Sequence, residues 1–237
     1  MNEKEHILYQ KSYFETNDKT SMQPRKSAYI DRQVERVQDY LKRSDRIIDI
    51  GCGIGKYTLN LLEKDYRVEG LDIAAGLLEQ MKEHHQTGAP LFLHCADIAQ
   101  PPRELWGMYD AAIGFFALHH MFDLKAAFQG IYQLLKPGGK IIFLEPNPYN
   151  ILYYFQILLT PKMTWQGDKG ILNMRPGVLF PLMKRAGFIE PLVMRSGFFP
   201  PFISDLKGAL PLEKALEAFP LWKQLLPFQI FSARKGE

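Results

Sequence analysis

The chain has 237 residues, of which 46% are hydrophobic and 23% are charged, and its formal net charge is +3. This length and composition predict a single domain, residues 1–237, with a substantial core. The 29 basic and 26 acidic residues are scattered through the chain, so no basic surface large enough to select nucleic acid is predicted. Nucleic acid is therefore not expected as a partner.

The two cysteines and the start of the chain bear on its compartment. Cys52 and Cys95 lie in predicted core or site segments, which suits a reducing cytosol and gives no disulfide framework. They also lack a metal-ligand spacing, and no metal site is expected. The first residues are polar and charged, and no apolar run reaches the ~18 residues that a membrane-spanning helix needs. We therefore expect a cytoplasmic protein without a transmembrane segment.

The first two predicted elements are a helix and a strand. Residues 31–42 place Val34, Val37 and Leu41 at helical spacing, which predicts an amphipathic helix that covers one face of a sheet. Residues 46–50, Arg-Ile-Ile-Asp-Ile, form a β-branched run that ends abruptly at a glycine. Such a run is typical of a buried parallel strand.

Three glycines in five positions, Gly51, Gly53 and Gly55, follow that strand. Because these residues have no Cβ, the backbone is expected to approach a ligand at the carboxyl end of the strand. A helix predicted over residues 56–64 would point its N-terminal amides at the same place. The pattern favours a polar, nucleoside-type ligand, and a plain strand-to-helix turn is the alternative. Lys56 stands where the dinucleotide fingerprint needs its third glycine, which argues against NAD or FAD.

An acidic residue ends the next predicted strand, residues 66–73. Asp72 follows Gly53 by 19 positions. In doubly wound sheets a carboxylate about 20 residues beyond the glycine loop lies where it can accept hydrogen bonds from both ribose hydroxyls. Asp72 could instead cap the helix predicted over residues 74–84. The two roles are compatible.

The rest of the chain alternates short apolar strands with helical segments. The strands are predicted at residues 91–95, 111–117, 141–144, 191–197 and 228–234. Helices are predicted at residues 124–135 and 175–186, and the second one ends at Gly187. Strands that alternate with helices predict right-handed βαβ units and a mostly parallel sheet, with ligands beyond the carboxyl ends of its strands.

Five segments, in order and at matching spacing over about residues 46–145, resemble the class I S-adenosylmethionine-dependent methyltransferases. They are residues 49–55 (Asp-Ile-Gly-Cys-Gly-Ile-Gly), Asp72, residues 94–98 (His-Cys-Ala-Asp-Ile), residues 109–120, and residues 134–145. The resemblance implies a doubly wound, Rossmann-like α/β fold. Its seven-stranded, mostly parallel sheet would have an antiparallel last strand and helices on both faces. It also implies S-adenosylmethionine as cofactor and S-adenosylhomocysteine as product.

The resemblance assigns cofactor contacts by position within these motifs. Asp49 and the backbone of the glycine loop would bind the methionine end, and Asp72 the ribose. Ile73 would pack on one adenine face, Asp97 would meet the adenine amino group, and a residue of the fourth strand would close the site. The implied set is Asp49, Gly51, Cys52, Gly53, Gly55, Asp72, Ile73, Ala96, Asp97, Ile98 and Phe115. In the family the N-terminal segment, here residues 1–45, often forms a lid, with Tyr13 as a candidate contact; anchoring of the terminus on the core is the alternative.

Methyl transfer mainly requires alignment of the acceptor with the methyl–sulfur bond, and a general base only if the acceptor loses a proton. His119 and His120 follow the fourth strand, and histidine has a suitable pKa for this role. Of two adjacent histidines, at most one is expected to face the substrate. Glu145 and Tyr149 are the second candidates, as base or as groups that orient the acceptor.

The acceptor is predicted to be a small or lipid-like molecule methylated on oxygen, nitrogen or carbon, as in secondary metabolism. The Asn-Pro-Pro-Tyr type of motif that marks amino and base methylation in the superfamily is absent. Residues 146–173 and 198–225 are expected to form insertions, the first capping the acceptor pocket, with a core helix or a dimer contact as alternatives. A cyclase or rearrangement enzyme, a non-catalytic binding module and a nicotinamide oxidoreductase remain alternatives, and a monomer or a homodimer is expected.

Overall fold

The computed structural model describes residues 23–86, 88–151, 153–155, 165–199 and 208–237, with Glu5, Ile203 and Leu206 as isolated positions. The strands are β1 (Arg46–Ile50), β2 (Arg67–Asp72), β3 (Leu93–Cys95), β4 (Tyr109–Phe115), β5 (Leu135–Pro146), β6 (Phe188–Ser196) and β7 (Phe228–Lys235). The α-helices are α1 (Ala28–Gln38), α2 (Thr58–Glu63), α3 (Ala75–His84), α4 (Leu124–Leu134), α5 (Trp165–Asp168), α6 (Pro176–Ala186) and α7 (Ala209–Ala218). Short 3₁₀ helices span Arg103–Leu105, Leu118–His120, Lys169–Asn173 and Pro220–Leu225.

The seven strands form one sheet in the order β3-β2-β1-β4-β5-β7-β6. Strands β1 to β5 are parallel, and β7 runs antiparallel to both of its neighbours, β5 and β6. This topology confirms the predicted fold. The strand order reverses between β1 and β4, and the crevice beyond their carboxyl ends is where such sheets bind ligands.

Helices cover both faces of the sheet, as predicted. One core cluster contains Phe128 and Ile131 of α4 and Met183 of α6, all fully buried. The cluster on the other face contains Val34 of α1 and Met81 of α3 together with residues of α2. Ile47 of β1 belongs to the second cluster and Ile48 to the first, because successive side chains of a strand point to opposite faces.

Several element boundaries differ from the predictions. The first helix begins three residues earlier than predicted and ends at Gln38, and the helix predicted from residue 56 begins only at Thr58. The predicted strand 191–197 begins already at Phe188, with a register shift between Ile189 and Leu192. Pro191 lies at this shift, where its missing N–H is tolerated because β6 is the edge strand.

Helix α7, in the second insertion, is held to α1 by buried charges. Glu213 Oε2 lies 2.5 Å from Arg32 Nε, and Glu217 forms ion pairs with Arg32 and Arg36. Glu213 Oε1 also accepts two backbone N–H bonds from the residues that follow β6. We call these four charged residues the α1–α7 ion cluster.

The second insertion is also tied to the end of β5. The Nδ2 atom of the buried Asn147 donates to the carbonyl oxygens of Gln224, at 2.9 Å, and Leu226, at 2.7 Å. Asn150 Nδ2 donates to the Leu225 oxygen at 2.6 Å. The polar side chains of the proline-interrupted turn after β5 therefore hold the neighbouring insertion in place.

The first insertion is described only in part. Residues 151 and 153–155 are helical, and Ile151, Phe155 and Trp165 are exposed rather than packed in the core. The remainder of the predicted apolar run lies outside the described residues, so its predicted role as a cap stays a prediction. Among the described residues, no helix combines the length and the apolar composition that crossing a bilayer requires.

Candidate functional site

The glycine loop after β1 adopts a backbone that favours glycine. Gly51, Gly53 and Gly55 have φ angles of +72°, +55° and +85°. A Cβ added to Gly51 would lie 2.8 Å from Ala117 Cβ, and one added to Gly55 would lie 2.7 Å from Met81 Cγ. The prediction that a ligand needs this space is therefore wrong for Gly51 and Gly55, because protein atoms already fill it.

Asp72 joins the glycine loop to the end of β2. Its Oδ2 atom accepts the Gly53 N–H at 2.8 Å, and its Oδ1 atom accepts the Ala74 N–H at 2.9 Å. Burial raises the pKa of this carboxyl. Helix α3 begins at Ala75, so Asp72 binds the amide of the N-cap residue instead of being the N-cap itself. Each carboxylate oxygen keeps a second lone pair, and the predicted role with ribose stays a prediction.

Asp49 is a buried residue near the end of β1, and the hydrogen bonding of its carboxylate is incomplete. Its Oδ2 atom accepts a hydrogen bond from Thr58 Oγ1 at 2.6 Å. Its Oδ1 atom is buried and has no hydrogen-bond partner. Burial, together with the nearby charge of Asp72, raises the pKa of Asp49 to about 7. A buried carboxylate oxygen without a donor is costly, and a ligand that brings a cationic donor would relieve this cost.

The other predicted cofactor residues differ in burial and in their contacts. Asp97 Oδ1 accepts the Ala99 N–H at 2.9 Å. Ile73 and Ala96 are partly exposed, whereas Cys52 is buried. Ile98 belongs to the core cluster beneath α4, and the ring of Phe115 is stacked at 4.1 Å on Tyr57. Tyr13 lies outside the described residues. No described contact tests the predicted adenine and ribose roles.

Glu145 organises the turn that carries the histidines. It lies at the end of β5 and is fully buried. Its Oε1 atom accepts the N–H groups of Ala117, at 2.9 Å, and Leu118, at 2.7 Å, and its Oε2 atom lies 2.6 Å from His119 Nδ1. Because a carboxylate only accepts, Nδ1 donates to it, and in the neutral form of an imidazole the lone pair is then on Nε2. Glu145 is enclosed by these three donors, so it holds the turn and is not placed as a solvent-facing base.

The two histidines differ in exposure and lie beside an acid that the sequence analysis missed. His119 is 5% exposed, and His120 is partly exposed, with the two rings 3.9 Å apart. One donor atom each from His119, His120 and Asp168 lies within 4.8 Å of the others. Asp168 comes from α5 in the first insertion. No local pattern in the sequence marks it, because only the tertiary fold brings it to the histidines.

Tyr149, the fourth catalytic candidate, lies elsewhere on the turn after β5. Its side chain is 48% exposed, and the guanidinium carbon of Arg195 lies 5.8 Å from its ring centre. Its N–H donates to Asn147 Oδ1 at 3.1 Å. The described contacts of Tyr149 are thus with β6 and the turn, and its predicted catalytic role stays a prediction.

Residues 47–139 match a family model described as a methyltransferase domain. The match supports the predicted resemblance to the class I S-adenosylmethionine-dependent methyltransferases over this part of the chain. The juvenile hormone acid O-methyltransferase of Drosophila melanogaster is 31% identical over 46% of this chain and 40% of its own length. An S-adenosyl-L-methionine-dependent Diels-Alderase of Talaromyces variabilis is 27% identical over 49% of this chain and 43% of its own length. The chain thus spans less than half the length of these two curated relatives.

The fold of this protein also resembles solved structures. A Thermotoga maritima S-adenosylmethionine-dependent methyltransferase, described as a possible histamine N-methyltransferase, aligns with a TM-score of 0.64. The alignment covers 87% of this chain and 89% of that one, at 18% sequence identity. At this identity the likeness supports the fold alone.

The family match supports S-adenosylmethionine, the cofactor that the sequence predicts. The residues present fit it, because the unsatisfied Oδ1 of Asp49 lies where a buried ammonium donor would complete its hydrogen bonding. The methionine moiety of the cofactor carries such an ammonium group. The predicted contact of Asp49 with the methionine end of the cofactor stays a prediction that this unsatisfied oxygen favours.

Cofactor affinity is expected to rise with pH up to about 7 because of Asp49. Only the ionised carboxylate attracts an ammonium group, so affinity should fall about tenfold per pH unit below the pKa of about 7. Calorimetric titration with S-adenosylhomocysteine between about pH 5.5 and 8.5 measures the profile. Asp49→Asn should bind weakly with a flat profile over this range. An equally steep profile in the variant would contradict the assignment.

The raised pKa of Asp49 also predicts that the protein without cofactor becomes less stable as the pH rises. The folded-state pKa of Asp49 lies above the unfolded value of about 3.9. Its contribution to the free energy of unfolding is therefore fully present below the unfolded value and is lost as the pH rises to about 7. The difference in melting temperature between Asp49→Asn and the parent protein should follow this course.

Proposed function

We propose that this protein transfers a methyl group from S-adenosylmethionine to a small, largely apolar organic acceptor. The observation that supports this most directly is the contact between the glycine loop and the turn after β4. A Cβ on Gly51 would meet Ala117, which lies two residues before His119. The cofactor loop and the imidazole groups are thus adjacent, as a transfer from one bound molecule to another requires.

Apolar side chains beside the histidines favour an apolar acceptor. Helix α5 ends at Asp168, next to His119 and His120, and begins at Trp165. The Trp165 ring lies 6.3 Å from the ring of Tyr154, and half of the Trp165 side chain is exposed. A surface of exposed aromatic groups next to buried polar groups is typical of small-molecule sites.

The protein's own groups orient the acceptor and hold protons. Bound S-adenosylmethionine supplies the methyl group on a sulfonium that is already a good leaving group. We assign His120, which is partly exposed, as the group that accepts the proton of a hydroxyl acceptor. Glu145 fixes His119 and the backbone at Ala117 and Leu118, which aligns the turn against the glycine loop.

The proposal is tested by incubating the protein with methyl-labelled S-adenosylmethionine and fractionated cell extract. We expect one small-molecule fraction to gain the label while an equal amount of S-adenosylhomocysteine forms. Asp49→Asn is the control for cofactor binding and should transfer little label. His120→Ala should retain cofactor affinity and lose turnover. This variant therefore distinguishes a loss of cofactor binding from a loss of the reaction with the acceptor.

A second function is favoured by the relative described as a Diels-Alderase. In that case the cofactor binds without being consumed, and a substrate in the extract changes structure but not mass. Formation of such an isomer with no S-adenosylhomocysteine would overturn methyl transfer. It would leave the cofactor site and the fold as described.

A further inference from the structure

We propose that His119, His120 and Asp168, together called the His–Asp group, bind a divalent transition-metal ion. Among the described residues, these three form the one group whose histidine, cysteine and acidic donor atoms are close enough to share an ion. His119 and Asp168 are buried, at 5% and 6% exposure, and His120 is partly exposed. An ion here would be enclosed on two sides and open on the third.

The contact of His119 with Glu145 is the arrangement that metal-binding histidines use. Glu145 Oε2 lies 2.6 Å from Nδ1 and directs the Nε2 lone pair away from the carboxylate. Histidine ligands of metals almost always donate their other N–H to a carboxylate or carbonyl, which fixes the tautomer and raises ligand basicity. The buried Glu145, which lies within hydrogen-bond distance of three donors, has this supporting geometry.

The backbone keeps Asp168 close to the histidines. The 3₁₀ helix Lys169–Asn173 packs so tightly on the turn that a Cβ on Gly170 would lie 1.8 Å from the His119 carbonyl oxygen. Only glycine fits at this contact. It places the carboxyl of Asp168, two residues earlier, against the imidazole rings.

The donor set selects the class of ion. Two imidazole nitrogens and one carboxylate oxygen suit zinc, iron(II), cobalt(II) and manganese(II), and three protein ligands leave positions open for another molecule. Ligand atoms around a tetrahedral zinc lie about 3.3 Å apart, given bonds of about 2.0 Å. The donors, now within 4.8 Å of one another, would approach each other by up to about 1.5 Å on binding, which the partly exposed His120 allows.

The role of the ion rests on the proposed function, whereas metal binding itself does not. An acceptor hydroxyl bound to the ion would lose its proton to water at a lower pH, since a bound cation lowers the pKa of an oxygen ligand. The acceptor oxygen then forms its bond to the methyl carbon as the carbon–sulfur bond breaks, and the sulfonium becomes a neutral thioether. His120 would act as a ligand in this case and not as the base.

Metal titration of the purified full chain tests the inference. Protein stripped with a chelator is titrated with Co²⁺ followed by absorbance and with Zn²⁺ followed by calorimetry. We expect one ion per chain and a visible cobalt spectrum of low coordination number. His120→Ala and Asp168→Asn should each weaken binding at least tenfold, whereas the exposed control His84→Ala should bind as the parent does.

Binding of less than one ion per chain, or equal affinity in the two ligand variants and the parent, would overturn the inference. Titration of the stripped protein with S-adenosylhomocysteine keeps this result separate from the proposed function. Retained cofactor affinity without metal binding removes the metal site alone, whereas loss of cofactor affinity in the folded parent protein removes the proposed function. Circular dichroism of each variant shows that it is folded.

Discussion

Replacing Glu145 by Gln is expected to lower the turnover of the proposed methyl transfer by about 10–100-fold, the usual cost of losing the carboxylate that orients a metal-binding histidine, while the protein stays folded. The Gln oxygen still accepts the N–H groups of Ala117 and Leu118 in place of Oε1. The new amide NH₂ points at His119 Nδ1 and can only donate there. The proton of His119 therefore moves to Nε2, and Nε2 loses the lone pair that a metal ion would bind.

The tautomer itself provides a readout that a structural role would not change. Nitrogen NMR of ¹⁵N-histidine-labelled protein should show the His119 pattern reversed in Glu145→Gln, and cofactor affinity should stay within about twofold of the parent. Glu190→Gln, which alters a carboxylate in an exposed pair with Arg234, is the matched control and should change neither property. Unchanged turnover together with a reversed tautomer would show that His119 Nε2 is not used.

Glu145→Ala separates positioning from stability. This variant removes the acceptor of three buried donors, and each unsatisfied donor costs about 1–3 kcal/mol. It should therefore lower the melting temperature markedly, whereas Glu145→Gln should not. A comparison of the two variants by thermal unfolding shows whether the loss of turnover in Glu145→Gln arises from the tautomer or from a disordered turn.

The half of the fold that contains the cofactor site was predictable from sequence because its signals are local. The run from Arg46 to Ile50 forms β1, the glycines after it have positive φ angles, and Asp72 lies against Gly53 as its spacing indicates. These signals act within a few residues or between neighbouring strands. They are the apolar pattern of a strand, the backbone conformation of glycine, and the binding of ligands beyond the carboxyl ends of parallel strands. These constraints hold whatever the rest of the chain does.

The part of the candidate site around the histidines was only partly predictable, because its contacts are between distant segments of the chain. His119 and Glu145 were both candidates, yet their partnership across 26 residues, and the enclosure of Glu145, follow from the pairing of β4 with β5. Asp168 was missed altogether. An acid in an irregular insertion has no periodicity to mark it, and its position depends on the packing of Gly170 against the histidine turn.

The second insertion shows the same limit. In α7, which lies in this insertion, a charged residue, Glu213, is one of the two buried positions. The apolar Leu210 and Leu212 are exposed. The hydrophobic pattern alone predicts that the leucine face of the helix packs inward. The fold instead buries the face that contains Glu213, because Arg32 of α1 supplies a buried partner for it.

Glu213→Ala is accordingly expected to lower the free energy of unfolding by about 3–5 kcal/mol, the usual cost of removing one partner of a buried pair. The substitution leaves Arg32 buried with only its contact to Glu217. It also removes the acceptor of the Phe198 and Phe199 amides. Denaturant unfolding measures the total effect, and hydrogen exchange at those two amides shows whether the insertion detaches before the rest of the domain unfolds.

An exposed pair and a double variant decide whether the buried charges cause the effect. Arg234 and Glu190 are 59% and 62% exposed, so Glu190→Ala should cost less than about 1 kcal/mol. Arg32→Met combined with Glu213→Leu removes both charges and should recover most of the lost stability, because apolar residues of similar volume replace a buried pair at little cost. If Glu213→Ala costs no more than Glu190→Ala, the α1–α7 ion cluster does not anchor the insertion. If it costs several times more and the double variant restores it, the N-terminal helix and the second insertion are stabilised as one unit beside the site.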